Sequence, residues 1–173
     1  AQPREWSEAR SLDWFVLDNP LNQGVQRWVK ALNNLYNAND ALYANDSDVM
    51  GFEWIDCDHP DKGVVSFIRR GSTPSKQLLF ICNFVPVEYD NYEVGAPCFT
   101  TYKEVLNSDD VQFGGAGRLN SGKIKAIDKK TERMPYSISV TVPPLSTVVL
   151  EYDYTDVTPE DICLLYTSPS PRD

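Results

Sequence analysis

The sequence is poor in the side chains that most often carry metal-dependent or nucleophilic chemistry. Its 173 residues include a single histidine, His59, and four widely spaced cysteines that form no Cys-x-x-Cys pair. Zinc ribbons and thioredoxin-like sites need such ligands or thiols at short spacing. We therefore expect no bound metal and no cofactor. His59 falls in DHPDKG, a sequence typical of an exposed turn.

Positive charge and long apolar runs are also scarce. Sixteen Lys and Arg stand against 25 Asp and Glu, which gives a formal net charge of −9. Binding to a phosphate backbone needs clustered Lys and Arg, so we expect no nucleic-acid partner. The longest apolar runs, such as residues 78–82, are far shorter than the roughly 20 residues that span a bilayer. We predict no membrane contact, free thiols and a cytoplasmic location.

Residues 23–38 carry the apolar spacing of an amphipathic helix. Asn22 is the predicted N-cap, and several asparagines near residue 38 favour the end of the helix there. A single helix cannot bury its apolar stripe alone, so it must pack against the following domain or against a missing segment. The stripe consists of Val25, Trp28, Val29, Leu32, Leu35 and Tyr36.

From residue 52 onward the apolar period changes to two, which is typical of strands. Turn sequences rich in Gly, Pro, Asn and Asp separate the runs, and GGAG at 114–117 is one of these turns. We predict an antiparallel β-sandwich or closed sheet, with PPLS at 143–146 joining either a hairpin-like pair or strands of two sheets. The strand-length runs are FEWIDC, VVSFIRR, LLFICNF, YEVG, TYKEVLN, KIKAI, YSISVTV and TVVLEY.

The first 14 residues mix tryptophans with carboxylates. Trp6, Glu8, Asp13 and Trp14 are the candidate substrate-binding residues, because aromatic rings stack on sugars while carboxylates bond their hydroxyls. The structural alternative is a loop whose tryptophans anchor it to a neighbouring core while its charges form local ion pairs. Composition does not decide between the two.

Long phrases of the chain, taken in order, resemble the C-terminal portion of bacterial glycogen (1,4-α-glucan) branching enzymes of the α-amylase superfamily. The resemblance runs from residue 2 to about residue 154. The phrases are PREWSEARSLDW, NQGVQRWVKALNNLY, GFEWIDCDHPDKGVVSFIRRG, LLFICNFVPVEYDNYEVG, YKEVLNSDDVQFGG and PYSISVTVPPLSTVVLEY.

This resemblance implies a division of the chain. Residues 1–45 would be the last loop and helix of a (β/α)8 barrel, and residues 50–154 an all-β C-terminal domain. The missing barrel would pack on the helix at 23–38. Residues 160–173, rich in Ser, Thr and Pro, continue no strand pattern and predict a disordered, artefactual tail.

The resemblance also implies where the chemistry lies. Branching enzymes transfer α-1,4-glucan segments to 6-hydroxyls, and their catalytic carboxylates lie on earlier barrel strands. We assign no catalytic residue and expect this chain alone to be inactive. Two roles remain open for the β domain: a structural support for the barrel, or a non-catalytic carbohydrate-binding sandwich that uses exposed aromatics such as Tyr89, Tyr92 or Phe99.

Overall fold

The computed structural model describes residues 7–156 and residue 158. Within this range a 3₁₀ turn, Trp14–Asp18, precedes α1 (Pro20–Ala38). The predicted tail at 160–173 and Trp6 lie outside the described residues. The strands are β1 (Phe52–Asp56), β2 (Val64–Arg69), β3 (Gln77–Asn83), β4 (Tyr89–Ala96), β5 (Thr101–Asn107), β6 (Lys123–Lys125), β7 (Tyr136–Val142) and β8 (Thr147–Tyr152).

The strands form two antiparallel sheets. One sheet has six strands in the order β1-β2-β3-β8-β5-β6, and the other pairs β4 with β7. Each predicted strand-length run coincides with one strand, so the mainly β antiparallel prediction is confirmed. β7 and β8 belong to different sheets, and PPLS is therefore a crossing between sheets rather than a hairpin. Ser146 Oγ and Asn83 Nδ2 both donate to the Pro143 carbonyl and hold this corner.

Helix α1 begins one turn earlier than the pattern predicts. Asn19 Oδ1 accepts the Leu21 N–H at 2.9 Å, and Pro20 occupies the first helical position. The prediction of Asn22 as N-cap was wrong, because the first apolar residue of the stripe lies inside the helix and Pro20 favours the start. The predicted end near residue 38 is confirmed.

The main core lies between the two sheets. Alternate residues of each strand point into it, as the period of two requires. Its fully buried members include Ile68, Leu79 and Ile81 of the large sheet and Ile138 and Val142 of the small one.

A second, smaller cluster covers the opposite face of the large sheet. Leu78 of β3 and Val149 of β8 are fully buried there under Ala41. Leu35 of α1 packs against the same cluster from the side. The helix is therefore held against the outer face of the six-stranded sheet, with part of its stripe covered by this chain itself.

The loop after β5 provides the second contact of the helix. Phe113 ends a 3₁₀ turn that precedes GGAG, and its ring meets Trp28 edge-on with centroids 5.1 Å apart. Gly24 is buried at this crossing, where an added Cβ would lie 2.3 Å from the Phe113 carbonyl oxygen. Arg27 Nε donates to the Gln112 carbonyl at 2.5 Å. The absence of a side chain at Gly24 permits this close approach.

Replacing Gly24 by alanine should therefore destabilise the chain. In an open helix the change would stabilise by about 1 kcal/mol. Here we expect the free energy of unfolding to fall by about 1–3 kcal/mol, because the added methyl overlaps backbone atoms of Phe113. Urea denaturation followed by circular dichroism measures the change.

The matched control is Asn34→Ala, at an exposed position of the same helix. This substitution raises helix propensity without a steric cost, so we expect a small stabilisation. A Gly24→Ala variant as stable as Asn34→Ala would contradict the close-approach argument.

Candidate functional site

The N-terminal loop exposes the candidate residues that the structure describes. Trp14 is 64% exposed at the start of its 3₁₀ turn, and the next residue, Phe15, is 70% exposed. Glu8 is exposed and Asp13 is half-buried, while Trp6 lies outside the described residues. Trp14 is thus not wedged against the β domain, and its ring remains available to a partner or ligand.

One side of α1 presents apolar side chains to solvent. These residues recur at helical spacing beside the face that holds Gly24 and Trp28. They belong to the predicted stripe or extend it toward the N-terminus. The exposed fractions are 66% for Leu21, 52% for Val25, 49% for Val29 and 48% for Tyr36. We call these four residues the free face of α1.

A row of aromatic rings crosses the outer face of the large sheet. Trp54, Phe67 and Phe80 are register partners on β1, β2 and β3. The rings of Phe67 and Phe80 stack with centroids 4.9 Å apart and an interplanar angle of 4°. Phe52 stacks on Phe67 at 5.3 Å, and Trp54 remains 42% exposed. We call these four residues the aromatic row.

A groove of about 640 Å³ opens where β1 begins and β2 ends. Met50, Phe52 and Tyr154 provide its apolar surface, and Glu53 and Arg70 pair through their side chains within it. This volume lies in the range of small-ligand sites, about 300–1,000 Å³. Nothing in the sequence pattern indicated it, because its lining comes from residues 49–53, 70–77 and 154.

The aromatic residues proposed for a carbohydrate-binding sandwich, Tyr89, Tyr92 and Phe99, are less exposed than predicted. Tyr89 and Tyr92 are half-buried and pack against the main core, with ring centroids 5.3 Å apart. The Tyr89 hydroxyl donates to the Lys62 carbonyl at 2.7 Å. Phe99 is also half-buried, 5.3 Å from the ring of Tyr136. These rings serve packing first, and they form no flat exposed platform.

His59 lies in the predicted turn but is held by a carboxylate. Its Nδ1 is 2.8 Å from Asp56 Oδ1, and the hydrogen bond to Asp56 raises the pKa of His59 above its usual value of 6.5. The ring lines a cavity of about 280 Å³ together with Tyr92 and Thr131. A raised pKa means that His59 keeps its proton to a higher pH than a free histidine does.

Several carboxylates of the described residues stabilise the structure through ion pairs or hydrogen bonds. Asp58, Glu88 and Glu93 form ion pairs across loops and strands, with Arg133, Arg118 and Lys129 respectively. Glu104 Oε2 accepts from the amide of Asn120 at 2.8 Å. Among residues 7–156 and 158, no group of three His, Cys, Asp or Glu side chains could hold a metal ion. These four carboxylates therefore have structural contacts, and none of the contacts indicates a catalytic role.

The sheet arrangement and the position of the helix define an all-β domain that is preceded by one helix. Residues 54–153 match the family model of the alpha amylase C-terminal all-beta domain. The chain belongs to this family.

The similarity to curated proteins extends beyond that domain and names a particular group. The chain is 39% identical over 153 residues to the 1,4-alpha-glucan branching enzyme GlgB of Oceanobacillus iheyensis, covering 88% of this chain and 24% of that protein. It is 44% identical over 150 residues to GlgB of Hydrogenovibrio crunogenus, covering 87% and 20%. GlgB of Gloeobacter violaceus is 40% identical over 151 residues, covering 87% and 21%. The chain thus spans a fifth to a quarter of the length of these relatives.

No helix within the described part of the chain is both long and apolar enough to cross a membrane.

The His59–Asp56 contact predicts a measurable titration. We expect the pKa of His59, followed by the shift of its ring protons in NMR, to lie above 6.5. The contribution of this contact to stability should be complete below pH 6.5 and lost as the pH rises through the raised value. Asp56→Asn should lower the pKa of His59, because the carboxylate no longer stabilises the imidazolium.

Asp61→Asn is the control, since the charge of Asp61 has only a small effect on the pKa of His59. We expect little change in this variant. A His59 pKa at 6.5 in the unmodified chain, or the same fall in both variants, would contradict the assignment.

Proposed function

We propose that this chain is the C-terminal part of a 1,4-α-glucan branching enzyme, in which it buttresses the catalytic barrel. Residues 1–45 then contribute the last loop and helix of a (β/α)8 barrel, and residues 50–154 form the β domain that follows. The observation that carries the proposal is the free face of α1, an apolar surface at the junction of these two parts. The similarity to proteins named 1,4-alpha-glucan branching enzyme supports the assignment to this enzyme.

In this proposal the parent enzyme transfers α-1,4-glucan segments to 6-hydroxyls and so creates α-1,6 branches. The catalytic carboxylates belong to preceding barrel strands. The chain described here contributes no catalytic residue, in agreement with the structural contacts of its acids. In a (β/α)8 barrel the loops after the strands surround the active site. Glu8, Asp13 and Trp14, together with Trp6, therefore remain the candidate glucan-binding residues of this loop.

The barrel is the partner that the free face of α1 fits. Leu21, Val25, Val29 and Tyr36 lie beside the positions of Trp28 and Leu35, which contact the β domain. A helix with two adjacent apolar faces is typical of one buried between two bodies. Burying the free face would stabilise the enzyme by roughly 25 cal/mol for each Å² of apolar surface removed from water.

The aromatic row extends the surface assigned to the barrel. Phe67 and Phe80 share the outer face of the large sheet with Leu78 and Val149, over which Leu35 of α1 packs. The row and the free face of α1 are therefore on the same side of the sheet. We assign both to one interdomain contact, since apolar area of this kind marks interaction sites.

A reducing, cytoplasmic setting agrees with the cysteines. Cys57, Cys82 and Cys98 carry free thiols. Burial raises the pKa of the Cys98 thiol, which keeps it protonated and unreactive in the core. The cytoplasm, where thiols are kept reduced, is the location that we propose.

A chimera tests the buttressing role. The matching stretch of the Oceanobacillus iheyensis branching enzyme is replaced by residues 7–156 of this chain. We expect the chimera to branch amylose, measured by the fall in iodine absorbance. Val29→Asp in the chimera should lower its stability by about 3 kcal/mol or more, and its activity with it, because the carboxylate is buried without a partner.

Asn33→Asp is the matched control, because it adds the same charge at an exposed helix position outside the stripe. It should leave the chimera active. Val29→Asp in the isolated chain should hardly change its melting temperature, since Val29 is 49% exposed there. Equal behaviour of the two chimeras would contradict the barrel contact.

The isolated chain should have no transferase activity. Adding it to amylose should leave the iodine spectrum and the number of α-1,6 linkages unchanged, because in this proposal the catalytic carboxylates belong to the preceding barrel strands. The intact relative from Oceanobacillus iheyensis is the positive control. Branching by the purified chain above background would overturn the assignment of catalysis to the barrel.

A further inference from the structure

The groove at the start of β1 and the end of β2 combines an aromatic surface with hydrogen-bonding groups. We propose that it is a glucan-binding subsite of the β domain. The ligand class is a neutral saccharide, and its identification as an α-1,4-glucan segment rests on the proposed function. Tyr154 is the central contact, because its ring lines the groove and is 47% exposed.

The charges of the groove favour a neutral ligand. The guanidinium of Arg70 and the carboxylate of Glu53 are paired, so the lining offers no excess charge to attract an ion. The pair is only partly buried, with side-chain exposures of 24% and 43%. Such planar groups donate to and accept from neighbouring hydroxyls, while the rings of Tyr154 and Phe52 provide flat apolar contact. Apolar walls with a few polar groups are typical of small-molecule sites.

A buried hydroxyl near the groove supports a ligand. Tyr152 is 2% exposed, and its hydroxyl finds no hydrogen-bond partner among the described residues. Burial raises the pKa of Tyr152, so this hydroxyl stays protonated and remains a donor. It interacts electrostatically with Arg70, Glu53 and Tyr154, which line the groove. The hydroxyl is therefore an unused donor next to residues of the groove, although Tyr152 itself does not line it.

The wall formed by residues 71–76 is already held in place. The Gly71 amide donates to Gln77 Oε1 at 3.0 Å, and Ser72 Oγ donates to Asp40 at 2.6 Å. At the other end the Tyr154 amide donates to the Pro74 carbonyl at 2.8 Å. This last bond ties the ring of Tyr154 to the opposite wall. A rigid groove loses little conformational entropy when a ligand binds.

The polar residues Glu53 and Gln77 of the groove lie on the side of the large sheet opposite the aromatic row. Glu53 is the register partner of Ile68, which is buried in the main core, so Glu53 points to the side of the sheet opposite the aromatic row. Gln77 is likewise the register partner of Tyr152, another core residue. The free face of α1 and the aromatic row lie on the outer side. Of the residues named here, Phe52 alone belongs to both surfaces, as a member of the aromatic row and of the groove lining.

Affinity electrophoresis of the isolated 173-residue chain in native gels with and without glycogen tests the subsite. We expect glycogen to retard the unmodified chain. Tyr154→Ala should weaken the apparent affinity about tenfold, because it removes the central ring. Tyr154→Phe should keep the retardation, since the ring remains. Unchanged mobility of the unmodified chain, or equal retardation of Tyr154→Ala, would overturn the proposal.

Tyr36→Ala is the matched control, because Tyr36 is 48% exposed on α1 and lies outside the groove. It should be retarded like the unmodified chain, and loss of retardation in this variant would move the site away from the groove and overturn the proposal. Thermal melts of each variant verify that the fold is intact. Gels containing dextran, an α-1,6-glucan, should cause little retardation, and equal retardation there would overturn the α-1,4 assignment.

The two proposals fail in different assays. An active chimera with an isolated chain that glycogen does not retard would overturn the subsite alone. Retardation through Tyr154 together with an inactive chimera would overturn the buttressing role and leave the saccharide site standing.

Discussion

The pairing of β3 with β8 at the centre of the large sheet supports everything built on either side. Leu79 pairs with Leu150 and Ile81 with Val148, and all four side chains are buried in the sandwich core. The intervening residues of the same strands point the other way and form the base on which α1 rests. Because strand side chains alternate between faces, a single ladder of hydrogen bonds fixes both clusters. A slip by one residue would exchange them and destroy both.

One side of helix α1 packs on this chain and the adjacent side is exposed. Gly24, Trp28 and Leu35 are committed to this chain, and the adjacent side of α1 remains apolar and exposed. The helix that precedes the β domain therefore also covers part of its outer face, through Leu35. Shifting α1 would uncover Leu78 and Val149 as well as any partner on its free face.

Many charged side chains of the described residues stabilise turns and loops. Acidic side chains cap the short 3₁₀ turns, as Asp48 and Asp110 do, or pair with basic groups across loops. The net charge of −9 suits a protein whose partners are neutral polymers and apolar surfaces rather than phosphate backbones. The groove beside Tyr154 combines aromatic rings with the paired side chains of Glu53 and Arg70.

The period of two and the turn residues were sufficient to predict the eight strands, because local alternation and turn chemistry are properties of neighbouring residues. The same local signals predicted the end of α1 but missed its cap, where Pro20 outweighed the apolar pattern. The candidate residues Glu8, Asp13 and Trp14 could be named from the sequence, yet the exposure of Trp14 and the burial of Tyr89 and Tyr92 could not.

Three features depended on contacts between distant segments. They are the crossing between sheets at PPLS, the split of the helix stripe between two surfaces, and the groove that joins Met50, Arg70 and Tyr154. The amino-acid sequence by itself determined the strand class, the helix and the family resemblance, since these rest on local pattern. Only the tertiary structure decided which faces are covered and where a ligand fits, because burial is set by long-range packing.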